Sequence, residues 1–234
     1  MKTVFATVLL LAAAPAFAAG PSFDCKAARQ PVEKAICSDA ALAELDLAMA
    51  RAYRQAVQRV TGDAAALDEL KKSQRTFVGS RNAAFERTGN RLGDHMTRRI
   101  ALLGNINIDE RKTLLNDWAS DDGTISINRA ANDRLRVFVS LEEGTRGLYA
   151  CHFEGYGKAK GDTLTAAEDA GGTEYDGWSV TITRKGRMIV VTETPPAGRA
   201  TVGPNPFCGA RGSLAGVYFG VSDEGHGDEM GSRE

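Results

Sequence analysis

The chain is 234 residues long, with 29 Lys and Arg against 30 Asp and Glu and a formal net charge of −1. That balance argues against nucleic acid as a partner, because such binding rests on a cationic excess. The total conceals an asymmetry: residues 19–104 carry fourteen basic and ten acidic side chains, whereas residues 105–234 carry fourteen and twenty.

In chain order, the first expected element is an export signal. Lys2 supplies a short positive segment, an apolar run follows from Val4 to Ala14, and Pro15 ends it before the small-x-small step Ala16-Phe17-Ala18. The run is too short to span a bilayer, which takes about 20 apolar residues. Cleavage is therefore expected near Ala18, leaving a periplasmic or secreted protein. A lipid anchor needs a Cys at the cleavage point, and the nearest, Cys25, follows the acidic Asp24. No later stretch is apolar for long enough to cross a membrane, so no membrane anchor is expected.

Residues 19–104 read as helical. Pro31 suits the first turn of a short helix reaching Cys37. Asp39 suits the N-cap of a longer helix, on which Leu42, Leu45, Met49, Tyr53, Val57 and Val60 recur at steps of three and four. Thr61-Gly62 ends it. Asp63 caps a third helix with Leu67, Leu70, Phe77, Val78 and Phe85 on one stripe, which Gly89-Asn90 breaks. Leu92, Met96, Ile100 and Leu103 define a fourth segment. The pattern predicts a helical hairpin with short helices at either end.

After Gly104 the texture changes, as β-branched and aromatic residues alternate with polar ones. Strands are expected at Thr124-Ile125-Ser126-Ile127, Leu135-Arg136-Val137-Phe138-Val139, Trp178 to Thr183 and Met188 to Thr192. Lys185-Gly186 suits a hairpin turn, and Pro195-Pro196 and Pro204-Asn205-Pro206 mark loops. Residues 105–222 should form a small antiparallel sheet, closed as a barrel or packed as a sandwich, so the fold class is α+β. Residues 223–234 are acidic and without apolar pattern, and read as a disordered tail.

Four cysteines follow the signal, and in an oxidising compartment they read as two disulfides. Of the three possible pairings, the natural one stays within each half: Cys25 with Cys37, and Cys151 with Cys208. Zinc is excluded on spacing, since there is no Cys-x2-Cys pair and His95, His152 and His226 are scattered. The chain has no Gly-x-Ser-x-Gly elbow, His-Glu-x-x-His, phosphate loop or dinucleotide fingerprint. No catalytic residue, metal or cofactor is therefore expected, and the protein reads as a binder rather than an enzyme.

The helical half nevertheless carries a specific set of residues. Ser22-Phe23-Asp24-Cys25 is followed by Pro31-Val32-Glu33-Lys34-Ala35-Ile36-Cys37, then by Leu42, Leu45-Asp46 and Tyr53. Leu70, Gln74, Arg75, Phe77 and Arg81-Asn82 come next, and Arg99-Ile100 and Leu103 close the set. In these residues the chain resembles the LprI-type lysozyme-inhibitor family. Two departures stand out. The family usually carries a further Cys pair where Ala84 and Arg91 stand here, so the end of the hairpin around residues 86–94 should be looser, and Phe77 replaces a common Trp. The second half resembles a β-domain often found behind this module, through Cys151-His152-Phe153-Glu154-Gly155, Phe207 to Leu214 and Gly216-Val217-Tyr218. It is also similar to small β-barrel lysozyme inhibitors, whose loop Tyr-x-x-x-Thr-Lys-Gly is approached by Tyr156 to Lys160-Gly161.

The resemblance implies a soluble envelope protein that occludes a lysozyme cleft. The alternative is a non-inhibitory binding module for another envelope protein or for peptidoglycan. On this reading Gln74, Arg75, Arg81, Tyr156 and Lys160 are the candidate partner-binding residues. Basic residues of the first half would meet the cleft carboxylates, and the acidic second half would steer a cationic enzyme.

Overall fold

The computed structural model describes residues 20–88, 91–106, 112–142, 149–169, 177–198, 205–209 and 212–222. The expected signal and acidic tail lie outside the described residues, as do residues 89–90 within the segment expected to be looser. A 3-10 turn, Cys25–Ala27, precedes helices α1 (Pro31–Ser38), α2 (Ala40–Val60), α3 (Ala64–Thr88) and α4 (Leu92–Asn105).

The first three helices start at local caps. At α1, Glu33 accepts from the backbone N–H groups of Gln30 and Arg29 at 2.9 and 2.7 Å, which holds its carboxyl below the usual range. Asp39 accepts from the N–H groups of Ala41 and Leu42, and Asp63 from that of Ala66, so both expected caps form. A disulfide between Cys25 and Cys37 ties the 3-10 turn to α1. The helices share a core that includes Ile36, Ala56, Leu70, Phe77, Met96 and Leu103. The expected helical domain forms, with α4 lying chiefly along α2.

The second half is a closed antiparallel barrel of eight strands in sequence order. They are β1 (Asn116–Ser120), β2 (Gly123–Arg129), β3 (Leu135–Glu142), β4 (Ala150–Lys160), β5 (Thr163–Ala167), β6 (Ser179–Lys185), β7 (Met188–Thr194) and β8 (Gly216–Gly220). Trp118, Ile125, Val137, Phe153, Leu164 and Ile182 belong to the buried cluster that fills the barrel, as expected for eight strands. One end is closed by Trp178, Phe207 and Leu214, with Phe207 edge-on to Phe153 and Trp178 at 4.9 and 6.0 Å. The second disulfide, Cys151–Cys208, ties β4 to this plug.

The helices pack on the outside of the barrel. Met188, Val217 and Phe219 on β7 and β8 join the helical core, while their neighbours Ile189 and Tyr218 join the barrel core. The outer face is therefore covered at the start of β7 and along the end of β8, while Thr192 and Thr194 of β7 stay exposed. At one end of the barrel the second oxygen of the Asp63 cap accepts from Arg187 N–H at 3.2 Å. Ser222 N–H donates to Asn105 C=O at 3.0 Å beside the Ile106–Val221 bridge.

The turn that meets Asp63 contains Gly186 at φ 60°, and a Cβ there would drive into the Asp63 carboxylate. Gly161 has φ 59° in the β4–β5 turn, with open space around it. Gly161→Ala should therefore cost only left-handed backbone strain, about 1 kcal/mol. Gly186→Ala should cost clearly more, because it also displaces the cap; urea midpoints at unchanged m-value measure the difference.

Candidate functional site

The site begins with one buried guanidinium. Arg99 sits on the inner face of α4 with a fully buried side chain. Its Nε donates to Gln74 Oε1 at 3.0 Å, and its Nη1 donates to Ser73 Oγ at 2.9 Å and to the Asp121 oxygens at 2.8 and 2.7 Å. The guanidinium also lies over the Phe77 ring at 5.4 Å. Since Asp121 belongs to the β1–β2 turn, this single side chain joins α4, α3 and the barrel.

Two grooves flank that junction. The first, about 450 Å³, runs between α3 and the barrel end. Phe77, Val217 and Phe219 contribute apolar surface, and Ser73, Thr76 and Ser80 of α3 face Asp122, Tyr149 and Ser213 across it. Tyr149 donates its hydroxyl to Asp122 at 3.3 Å. Beneath it, Tyr218 donates to Leu214 C=O at 2.8 Å, and burial pushes its phenol well above the ordinary value. The groove lies where the seam opens, because β8 pairs with β7 over four positions and with β1 over two. The second groove, about 440 Å³, lies on the α4 side and brings Asp117, Asp121, Asp122 and Glu142 around Arg98. Among the described residues, no group of His, Cys, Asp and Glu side chains is placed to hold a metal ion.

The five candidate contact residues do not form one site. Gln74 is engaged by Arg99. Arg81 is 6% exposed, faces the buried Asp46 at 3.8 Å, and has its pKa pulled below the ordinary value by burial, with Asp46 and Glu33 opposing. Asp46 also accepts from Ser22 N–H and Oγ at 2.8 and 2.5 Å, and Asn82 donates to Gln30 Oε1 at 2.6 Å. These polar residues thus close the N-terminal segment onto α2 and α3. Arg75 is exposed on α3. Tyr156 and Lys160 share the outer face of β4, four strands away from β8 and so across the barrel from the helices. Tyr156 is bound into a ladder there, donating to Glu154, which also takes a bidentate pair from Arg136 at 2.8 and 3.0 Å. Sequence reasoning missed Arg99–Asp121 and Asp63–Arg187. The second had a trace, since the same Asp had been read as a cap.

These features define an α+β protein in which a stapled helical cluster is fastened to the wall of a closed barrel. A family model described as lysozyme inhibitor LprI matches residues 25–112, which take in the helical cluster. The chain belongs to the LprI family. It is also similar to an uncharacterized protein of Rhizobium meliloti (strain 1021), 34% identical over 94 residues that make up 36% of this chain and 68% of that protein. No solved structure matches the chain.

Removing Asp121 strands a buried cation, so Asp121→Ala should cost about 3 kcal/mol in chemical denaturation. Arg136→Ala, at an ion pair open to solvent, should cost no more than about 1 kcal/mol. A second expectation concerns alkali. The neutral form of Tyr218 is the buried one, so its contribution is complete below about pH 10, the ordinary phenol value, and is lost as pH rises beyond it. Tyr218→Phe should flatten the alkaline limb of a stability–pH curve.

Proposed function

We propose that the protein is exported and inhibits a lysozyme-type glycosidase by binding over its glycan cleft, without chemistry of its own. The observation that carries this reading is the family match to the helical cluster. Two features support it: the Cys25–Cys37 staple and the buried Arg81 and Arg99 contacts hold α3 as a preorganised element, which reduces the entropy lost on docking. Lys71, Lys72 and Arg75 lie exposed along the outer stripe of α3. They are suited to the paired carboxylates of a glycosidase cleft, while the acidic second half attracts a cationic enzyme over longer range. Tyr156 and Lys160, on the far wall, fall outside this contact. Both disulfides fit an oxidising compartment, and no described helix is long and apolar enough to cross a membrane.

A second reading, a non-inhibitory envelope-binding module, is favoured by one departure from the family pattern. Ala84 is buried on α3 and Arg91 precedes α4 in a left-handed conformation, at the positions where the family resemblance leads one to expect a further Cys pair.

A muramidase assay with the chain from residue 19 onward distinguishes the two. The protein in molar excess should slow lysis. The double variant Lys72→Glu/Arg75→Glu should weaken inhibition at least about tenfold at low ionic strength, with an unchanged melting temperature, and Lys160→Glu should leave it intact. Undiminished lysis in excess inhibitor, across several lysozyme types, favours the second reading.

A further inference from the structure

The outer face of β4, β5 and β6 carries a pattern that neither reading above uses. Strand pairing lines up its side chains in rows that cross the strands. One row runs through Lys158, Thr165, Thr181 and Thr192 from β4 to β7, and the next through Lys160, Thr163 and Thr183. Neighbours within a row stand about 5 Å apart, and the two rows about 7 Å apart. The Thr165 and Thr181 hydroxyls share one hydrogen bond at 3.2 Å, which leaves both with further capacity toward solvent. Two residues beyond Thr183, on the same face of β6, Lys185 is exposed.

Strand propensity accounts for threonine on a solvent-facing strand. It does not account for the cations. Arg134, Arg136 and Arg184, which border the rows, each hold a carboxylate, those of Asp169, Glu154 and Asp162. Lys158, Lys160 and Lys185 are exposed, and none forms an ion pair among the described residues. Lysine often guards a sheet edge, but a closed barrel has no edge to guard. Three uncompensated cations thus frame a neutral field of hydroxyls, in the half of the chain where acids outnumber bases by twenty to fourteen.

That charge calls for an anionic partner, and the surroundings narrow its class. The lysines are spread along the rows, so they suit a chain of repeated acids better than one small anion. A nucleic-acid strand would seek an aromatic platform, yet the Tyr156 ring beside the rows lies under Arg134 at 5.0 Å and its hydroxyl donates to Glu154. An anionic membrane would take up large apolar side chains, and besides Lys185 the outer positions of β5 and β6 hold only Thr, Ser179 and Ala167. A protein partner would seek a free strand edge or an aromatic anchor, which these strands do not supply. A polysaccharide needs neither. Its hydroxyls exchange hydrogen bonds with the threonines, and its acid groups meet the lysines. We propose that this face binds an anionic polysaccharide chain laid across the strands.

Fluorescence anisotropy of a labelled oligogalacturonate, titrated at low ionic strength with the chain from residue 19 onward, tests this. Binding should saturate with a Kd below about 1 mM, and a neutral maltodextrin of matched length should bind at least about tenfold more weakly. The triple variant Lys158→Gln/Lys160→Gln/Lys185→Gln should weaken binding at least about tenfold. Lys158→Gln alone, with a loss of about threefold, replaces it should the triple variant lower the melting temperature. Thr165→Val/Thr181→Val keeps shape and charge but removes two hydroxyls. It should also cost about threefold or more, which bare charge attraction would not. Lys72→Gln/Arg75→Gln on α3 should change nothing. Several results overturn the proposal: no binding at about 5 mM, full binding by the lysine or the threonine variant, or tighter binding of a DNA oligonucleotide or of phosphatidylglycerol vesicles. No lysozyme is present in the titration, so this face and the inhibitor reading can fail independently.

Discussion

A guanidinium withdrawn from water has to find its solvation inside the protein. Arg99 finds it in a glutamine and a serine of α3 and in a carboxylate of the first barrel turn, and each partner comes from an element that could otherwise drift. The Nη2 of Arg99 is buried without a hydrogen-bond partner among the described residues, so the Asp121 carboxylate carries the charge compensation, and losing it is far worse than never burying the charge. The rest of the architecture is consistent with that demand. The Asp63 cap secures the opposite end of the barrel, and Met188 and Phe219 fill the space between the two polar fastenings. Direction comes from the polar groups, and most of the contact area comes from the apolar ones.

Both grooves exist because of this arrangement. The β1–β2 turn is drawn toward the helices by Arg99, while β8 stays with β7 over a longer stretch than with β1. The cleft so formed is walled by secondary structure on both sides and stays open without a bound partner. Its acids are tied to Arg99, Tyr149 and Lys72 rather than aimed at a shared point.

Much of the helical part was legible in the sequence, because a helix announces itself locally. Asp39 and Asp63 mark starts within a residue of where α2 and α3 begin, and the apolar steps follow at once. The strands β2, β3, β6 and β7 were legible through alternation against solvent. β1 and β8 were not. The outer face of β8 lies under the helices, so Tyr218-Phe219-Gly220 is buried without a break. β1 begins with Asn116 at φ 82° and Asp117, a pair that reads as loop. The site was harder still. Gln74 and Arg81 stood out as polar residues on an apolar stripe, but nothing local tells that Gln74 is spoken for by a residue 25 positions away. Asp121 looks like any acidic turn residue.

The covering of β8 and the start of β7 also sets an order of events for the folding chain. Every helix is local, and its contacts can form as soon as residues 20–106 are free. The surface on which α3 rests is different, since Phe219 and Val217 lie more than a hundred residues further along. Until the last strand closes the barrel, the helical cluster keeps an apolar flank open to whatever else is nearby. Long-range closure is the slow kind, so the interval is not negligible. Ring closure and the burial of that flank are one step, and the final strand β8 completes both halves of the molecule at once.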